Sequence, residues 1–240
     1  MDESICGALS EDWAAGARLE AQIRNPHSEL RNAVIPVSAV IATKDRPEKL
    51  ANLFLSLRDQ DASLAEVVIV DASEDDRTRA LCQGENGIGA IRWARADRTG
   101  AAAQRNQGVR MAMHPFILFV DDDVVMERGC LSALWEAMEA DPSFGGVDAI
   151  ITNQCYHPLG RISRKFFNWL NGCARDCFAG RVVAGIAAFH PEDREGREPI
   201  VLTEWLASGC VLYRRSALPD PPFDPFFDGY SYGEDLALSL

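Results

Sequence analysis

Hydrophobic and polar positions along the chain fall into short cycles that begin after residue 36. Val37-Ser-Ala-Val-Ile-Ala-Thr43 is a β-branched run closed by Lys44-Asp45-Arg46-Pro47. Pro47 suits the first turn of a helix, and Leu50, Leu53, Phe54 and Leu57 follow at helical spacing, so the pattern predicts strand, loop, helix. A second cycle opens at Glu66-Val-Val-Ile-Val-Asp71, whose unbroken apolar run predicts a strand covered on both faces. An acidic loop at 72–76 and a helix from Arg77 to about Cys82 come next. A short strand at 90–93, a helix over 101–113 and a strand over 115–120 complete this half, the last running straight into Asp121-Asp122-Asp123. Strands alternating with helices predict an α/β fold with a partly parallel sheet.

The second half is less regular. It predicts a helix over 130–140, an apolar strand over 145–151, a basic amphipathic stretch at 161–178, an apolar strand at 206–213, and a loop rich in Pro, Phe and Asp at 219–233. Residues 1–36 read as an N-terminal extension: Glu11, Asp12, Glu20 and Glu29 surround a weak helical pattern that Asn25-Pro26 breaks. One domain is therefore expected over 37–240, divided into halves at 37–123 and 124–240.

The chain has 240 residues with 36 acidic and 24 basic side chains, a formal charge of -12 that repels phosphate backbones and excludes nucleic acid as the expected partner. No apolar stretch approaches the roughly 18 residues of a bilayer span, and the acidic start lacks a signal peptide's pattern, so a cytoplasmic location is expected. Seven cysteines without a CxxC pair fit reduced thiols, and Cys173 and Cys177, one helical turn apart, have no matching pair for zinc.

Three clusters carry candidate chemistry. Ligands of parallel α/β sheets bind outside the carboxyl ends of the strands, where this sequence sets Thr43 with Asp45, Asp71, and Asp121 to Asp123. Three adjacent carboxylates repel one another, and an oxygen-liganded Mg2+ or Mn2+ would neutralise them. If strand alternation persists, Asp121 and Asp123 point to one side and Asp122 to the other. The alternative is a solvated acidic turn with Asp123 capping the next helix. In the second cluster, Gly100-Ala-Ala-Ala-Gln-Arg-Asn-Gln-Gly108, Arg105 offers a bidentate fork for a diphosphate, or else is a surface arginine. In the third, Phe223 to Asp235, Glu234-Asp235 supplies a general base in an aromatic cleft, or else an ordinary helical first turn.

In this order these features resemble the family 2 glycosyltransferases, inverting enzymes of the GT-A fold. The resemblance rests on Val37-Ser-Ala-Val-Ile-Ala-Thr-Lys-Asp-Arg-Pro-Glu-Lys-Leu50, Val67-Val-Ile-Val-Asp-Ala-Ser73, residues 100–108, Phe119-Val-Asp-Asp-Asp123, Trp205-Leu-Ala-Ser-Gly-Cys210 and Tyr232-Gly-Glu-Asp235, and runs from about Val37 to the last residue. It implies a Rossmann-like, mixed, mostly parallel sheet flanked by helices, with an irregular acceptor-side half. It implies that Ala42, Thr43 and Asp45 lie along the nucleotide, that Asp71 recognises the base, that Arg105 faces the donor, and that Asp122 lies beside it. Asp121 and Asp123 would hold the ribose and a Mn2+ or Mg2+ ion, with Asp123 the direct ligand, and Asp235 would be the catalytic base.

The implied reaction moves a sugar from a nucleotide-diphosphate sugar to a hydroxyl of a glycan, lipid-linked or small-molecule acceptor. A nucleotide-sugar-binding protein without turnover and a metal-dependent nucleotidyltransferase are the alternatives. Asp71-Ala72-Ser73 stands where many members have Asp-Gly-Ser, and the chain ends five residues after Asp235, where members continue, so a fragment or shortened protein is expected. The stretch at 161–178 places Ile162, Phe166, Trp169 and Leu170 opposite Arg161, Arg164 and Lys165, which predicts either packing on the sheet or peripheral contact at the inner face of a membrane.

Overall fold

The computed structural model describes residues 33–150, 203–228 and 233–239, together with Leu30 and the backbone of 182–183 and 187–188. The stretch at 161–178 and the N-terminal extension lie outside the described residues. The strands are β1 (Val34–Thr43), β2 (Ser63–Asp71), β3 (Ala90–Arg95), β4 (Phe116–Val120), β5 (Gly146–Asp148), β6 (Val182–Val183), β7 (Ala187–Ala188) and β8 (Cys210–Arg214). The helices are α1 (Pro47–Arg58), α2 (Arg77–Gly84), α3 (Ala101–Met111), α4 (Cys130–Ala140) and α5 (Glu234–Ser239). Six strands form one sheet in the order β3-β2-β1-β4-β8-β5, while β6 and β7 pair as a separate ribbon. Pairings among β3, β2, β1 and β4 are parallel, and those of β8 with β4 and β5 are antiparallel.

The apolar runs feed two cores because strand side chains alternate between faces. From β1, β2 and β4, Ala39, Ile41, Val67, Ile69, Leu118 and Val120 join Leu50, Leu53 and Phe54 of α1 and Leu131 and Leu134 of α4. Val40, Val68, Val70, Ile117 and Phe119 from the same strands face Ala102 and Val109 of α3 and Phe223. Each fully buried large side chain contributes roughly 1.5–3 kcal/mol, so these alternating sets fix which face each helix covers. α1 opens with Pro47 in its first turn, beside Glu48, and closes with Arg58, each matching the helix dipole.

The first cycle starts earlier than its pattern predicts. β1 begins at Val34, and its register on β2 slips between Ile35 and Ser38, where Pro36 has no N–H to offer the ladder. The predicted strand at 206–213 forms only from Cys210, because Ala207 N–H leaves the ladder for Asp148 Oδ2 at 3.1 Å and a turn occupies 208–209. Of the predicted strand at 145–151, the described residues 145–150 form strand only over β5, and residue 151 lies outside the described residues.

Candidate active site

The carboxyl ends of β1, β2 and β4 converge with the start of α3, and the loops there are tied together by side chains. β4 ends at Val120: Val124 N–H returns to Asp121 O at 3.2 Å, and a turn replaces the strand. The alternation expected to send Asp121 and Asp123 to one side therefore does not persist. Each carboxylate meets its own surroundings. Asp122 is buried, accepting from Thr43 Oγ1 at 2.7 Å and from Arg46 Nη1 at 3.2 Å. Burial pushes its carboxyl above the ordinary range, while Thr43 and Arg46 pull it back down. Asp123 is exposed, 3.7 Å from Arg46. It does not cap α4, whose N-cap is Gly129.

Asp121 Oδ1 accepts from Arg105 Nη2 at 2.6 Å, and Arg105 Nη1 donates to Glu234 Oε1 at 3.0 Å. The Arg105 and Glu234 side chains are only 6% and 9% exposed, which overturns the surface-arginine alternative. The guanidinium also lies 5.4 Å from the centroid of the Phe223 ring, which packs edge-on to Phe119. The Asp121 side chain keeps 41% exposure, yet enough protein surrounds it that desolvation raises its pKa. Arg105 opposes that rise, and Asp123 and Asp122 add to it. Glu234 and Asp235 open α5, and Leu236 N–H caps back to Asp235 Oδ1 at 2.8 Å.

Asp71 ends β2 with no exposure. Its Oδ1 accepts from Ser73 N–H at 2.9 Å, and its Oδ2 from Trp93 Nε1 at 3.2 Å and Arg95 Nη1 at 3.5 Å. Arg95 and Arg79 flank the Trp93 ring at 5.0 and 5.1 Å. Ala42 and Thr43 close β1, and Asp45 follows with a left-handed φ of 54°, its N–H held by Ser73 Oγ at 2.7 Å. That strained residue is fixed by two loops at once.

Three residues of α3 that sequence reasoning passed over build this end of the sheet. Gln104 Nε2 donates to Thr43 O at 2.9 Å and Val70 O at 2.8 Å, while its Oε1 takes the Gly100 N–H at 3.2 Å. Gln107 Nε2 donates to Arg95 O at 2.9 Å, and Asn106 exchanges two bonds with the Phe223 backbone at 2.7 and 2.9 Å. Gly100, at φ 138°, supplies the backbone entry to α3 that a side chain would strain. The available signal was a helix without an apolar stripe, placed just before the buried β4, whose polar side chains had to find partners.

Among the described residues no group of three His, Cys, Asp or Glu side chains forms a complete metal cage. The exposed Asp123 beside Asp121 is an incomplete oxygen donor set. It fits an ion that keeps several waters and takes further oxygens from substrate phosphates, as Mg2+ does.

The profile of Glycosyl transferase family 2 matches residues 38–218. Among solved structures the chain is similar to the mannosyltransferase PcManGT from Pyrobaculum calidifontis in complex with GDP-Man and Mn2+, at 18% identity and TM-score 0.50, covering 90% of this chain and 56% of that one. It is similar to S. aureus TarS 1-349, at 18% identity and TM-score 0.56, covering 85% and 54%. The same protein in complex with UDP matches at 17% identity and TM-score 0.57, covering 85% and 54%. These likenesses show the GT-A fold, and the chain spans about half the length of the structures it matches. No curated protein matches the sequence.

Proposed function

The chain belongs to glycosyl transferase family 2, and on that premise we propose that it moves a sugar from a nucleotide-diphosphate sugar to a hydroxyl of a glycan, lipid-linked or small-molecule acceptor, with inversion. One observation carries the reading: a buried guanidinium, Arg105, joins Asp121 of the acidic turn to Glu234 at the start of α5, across 129 residues of sequence. That relay couples the acidic end of β4 to the segment that presents Asp235.

Ala42, Thr43 and Asp45 are assigned to the nucleotide, with Asp121 and Asp122 beside it. Asp71 is assigned to the base, supported by its place at the carboxyl end of β2; Trp93 and Arg95, its present partners, are the groups a base would compete with. Asp235 takes the proton of the acceptor hydroxyl as the oxygen attacks the anomeric carbon. The bond from that carbon to the diphosphate breaks on the opposite face, which inverts the centre. Arg105, nearly free of solvent, sets a fixed positive charge toward the leaving group. Asp123 with Asp121 would hold Mn2+ or Mg2+, which supplies further neutralisation of the diphosphate when bound. The basic stretch at 161–178 is assigned to contact with an anionic membrane surface, tested by salt-sensitive liposome flotation.

Incubation with UDP-, GDP- and dTDP-sugars, with and without Mn2+ and across acceptor classes, tests the assignment. Release of nucleoside diphosphate with a glycosylated acceptor is the expected result. Donor binding without release identifies a binding protein instead, and pyrophosphate with a new nucleotide-sugar identifies a nucleotidyltransferase.

A further inference from the structure

Two arginines meet the acidic turn, and they are held in different ways. Arg105 is buried and bonded through both Nη atoms, to Asp121 and to Glu234. Arg46 reaches the other two carboxylates through Nη1, 3.2 Å from Asp122 Oδ1 and 3.7 Å from Asp123 Oδ2, with its own side chain 57% exposed and that of Asp123 49% exposed. Arg46 also stands where helix preferences argue against it. It is the N-cap of α1, a position that favours Ser, Thr, Asp or Asn, and its side chain makes no capping bond. Its carbonyl serves the helix instead, taking the Lys49 and Leu50 N–H groups at 3.1 Å. A cation there faces the positive end of the helix dipole, and an ion pair this exposed returns little stability. A residue that breaks a local rule without such a return points to the site beside it. We propose that Arg46 is a positioning residue of the donor site: its guanidinium serves the Asp122–Asp123 pair as a built-in counter-ion and must give up Asp123 before a divalent ion binds there. The inference rests on the assignment of that ion to Asp123.

The backbone of Arg46 is fixed while its head is free to move. Asp45 before it is held at a φ of 54° by the bond from its N–H to Ser73 Oγ, and Pro47 follows it in the first turn of α1. The guanidinium therefore stays within reach of the turn, on a flexible stem that crosses solvent. The two contacts are unequal. The shorter is made to Asp122, which is buried and also accepts from Thr43 Oγ1 at 2.7 Å. The longer is made to the exposed Asp123, so Arg46 can release Asp123 and remain tethered through Asp122. An arginine does not shed its proton, so its charge is present at every working pH and opposes a second cation beside it. In surroundings this open to water, repulsion between a guanidinium and a divalent ion a few ångströms apart weakens binding by about tenfold.

The experiment titrates Mn2+ alone into the nucleotide-free whole chain at fixed pH and low ionic strength, and follows the free ion by its paramagnetic resonance signal. Arg46→Gln should bind Mn2+ about tenfold more tightly than the parent, whereas Arg46→Lys, which keeps the charge, should stay within about threefold of it. Both variants should melt within about 4 °C of the parent, which separates the effect from a loss of fold. Adding Asp123→Ala to Arg46→Gln should abolish the gain. Arg46→Gln that binds Mn2+ within about twofold of the parent, while Asp123→Ala alone weakens binding, overturns the competition and leaves the ion's assignment standing. Mn2+ binding that Asp123→Ala does not change, a gain that survives Asp123→Ala, or no measurable binding in Arg46→Gln overturns the assignment and the inference together.

Discussion

Replacing Arg105 by methionine keeps most of the apolar stem and removes the charge that the site is built around. Arg105 and Glu234 are 6% and 9% exposed and 3.0 Å apart, so the variant leaves Glu234 as a buried carboxylate without its cation. Breaking a buried pair from one side costs about 3–5 kcal/mol. The lost contact over Phe223, at 5.4 Å, adds about 0.5–1 kcal/mol. The arm to Asp121 adds little to stability, because that carboxylate's side chain is 41% exposed and water screens it. For a chain of this size the loss lowers Tm by roughly 7–24 °C, and it is read by urea unfolding and calorimetry at neutral pH without nucleotide. Glu234→Gln keeps an acceptor for Nη1 and should cost only about 1–2 kcal/mol. The double variant Arg105→Met, Glu234→Gln should be more stable than Arg105→Met alone by at least about 1 kcal/mol, since it replaces the stranded charge with a neutral amide. An Arg105→Met protein within about 1 kcal/mol of the parent, or a double variant in which the two losses simply add, refutes the reasoning.

Four other outcomes follow from the same geometry. Gly108→Ala gains about 1 kcal/mol of helix propensity but drives its methyl into Val40 Cγ1, at an overpacking cost of about 1–3 kcal/mol, so urea unfolding should show a net loss. Asp148, whose carboxyl burial pushes up to about 6 from 3.8, holds a proton in the folded chain that the unfolded chain releases, so the parent loses stability, by at most about 3 kcal/mol, as pH rises through that window. Asp148→Asn should remove this dependence and be the more stable protein at pH 8, measured by unfolding at several pH values. Asp235→Asn should keep donor affinity by calorimetry and lower transfer by about 10²–10⁴-fold. Asp123→Ala should abolish the effect of Mn2+ on nucleotide-diphosphate binding, and unchanged metal-assisted binding by calorimetry counts against that ligand.

The first half of the fold was legible where its strands are covered on both faces. Val67 to Val70 and Phe116 to Val120 must be apolar at every position, and such runs stand out against the polar loops between them. β8 is just as buried over Cys210 to Tyr213, yet its start was misplaced, since Leu206 and Ala207 continue the apolar run without joining the ladder. Nothing in that local pattern says that Asp148, 59 residues away, captures the Ala207 N–H. The same limit hid the partner of Arg105. Its type and its place near Asp121 were readable, but Glu234 reaches it only through the tertiary fold. The end of β4 falls where its pattern puts it, at Val120, but the side-chain alternation considered beyond it does not persist, because Asp121 and Asp122 each find a separate partner once the chain turns.

α3 explains how these pieces become one site. Its hydrophobic face is weak, and a helix of 11 residues gains little from propensity alone, so packing and polar contacts must hold it. Gly108 lets its backbone approach β1 at Val40, which sets the depth of the helix against the sheet. Gln104 then bonds the last carbonyls of β1 and β2, and Gln107 and Asn106 reach the β3 end and the Phe223 loop, so sliding or rotation would break several buried bonds together. Arg105 lies between Gln104 and Asn106 in sequence, and its direction is therefore fixed by neighbours that carry no charge. A guanidinium held in that way meets Asp121 and Glu234 with little further loss of side-chain freedom, which is the condition for a charge to act on a developing anion without first reorganising. Substitutions at Gln104 should consequently weaken donor chemistry through the placement of Arg105 even though Gln104 itself bonds only to backbone groups.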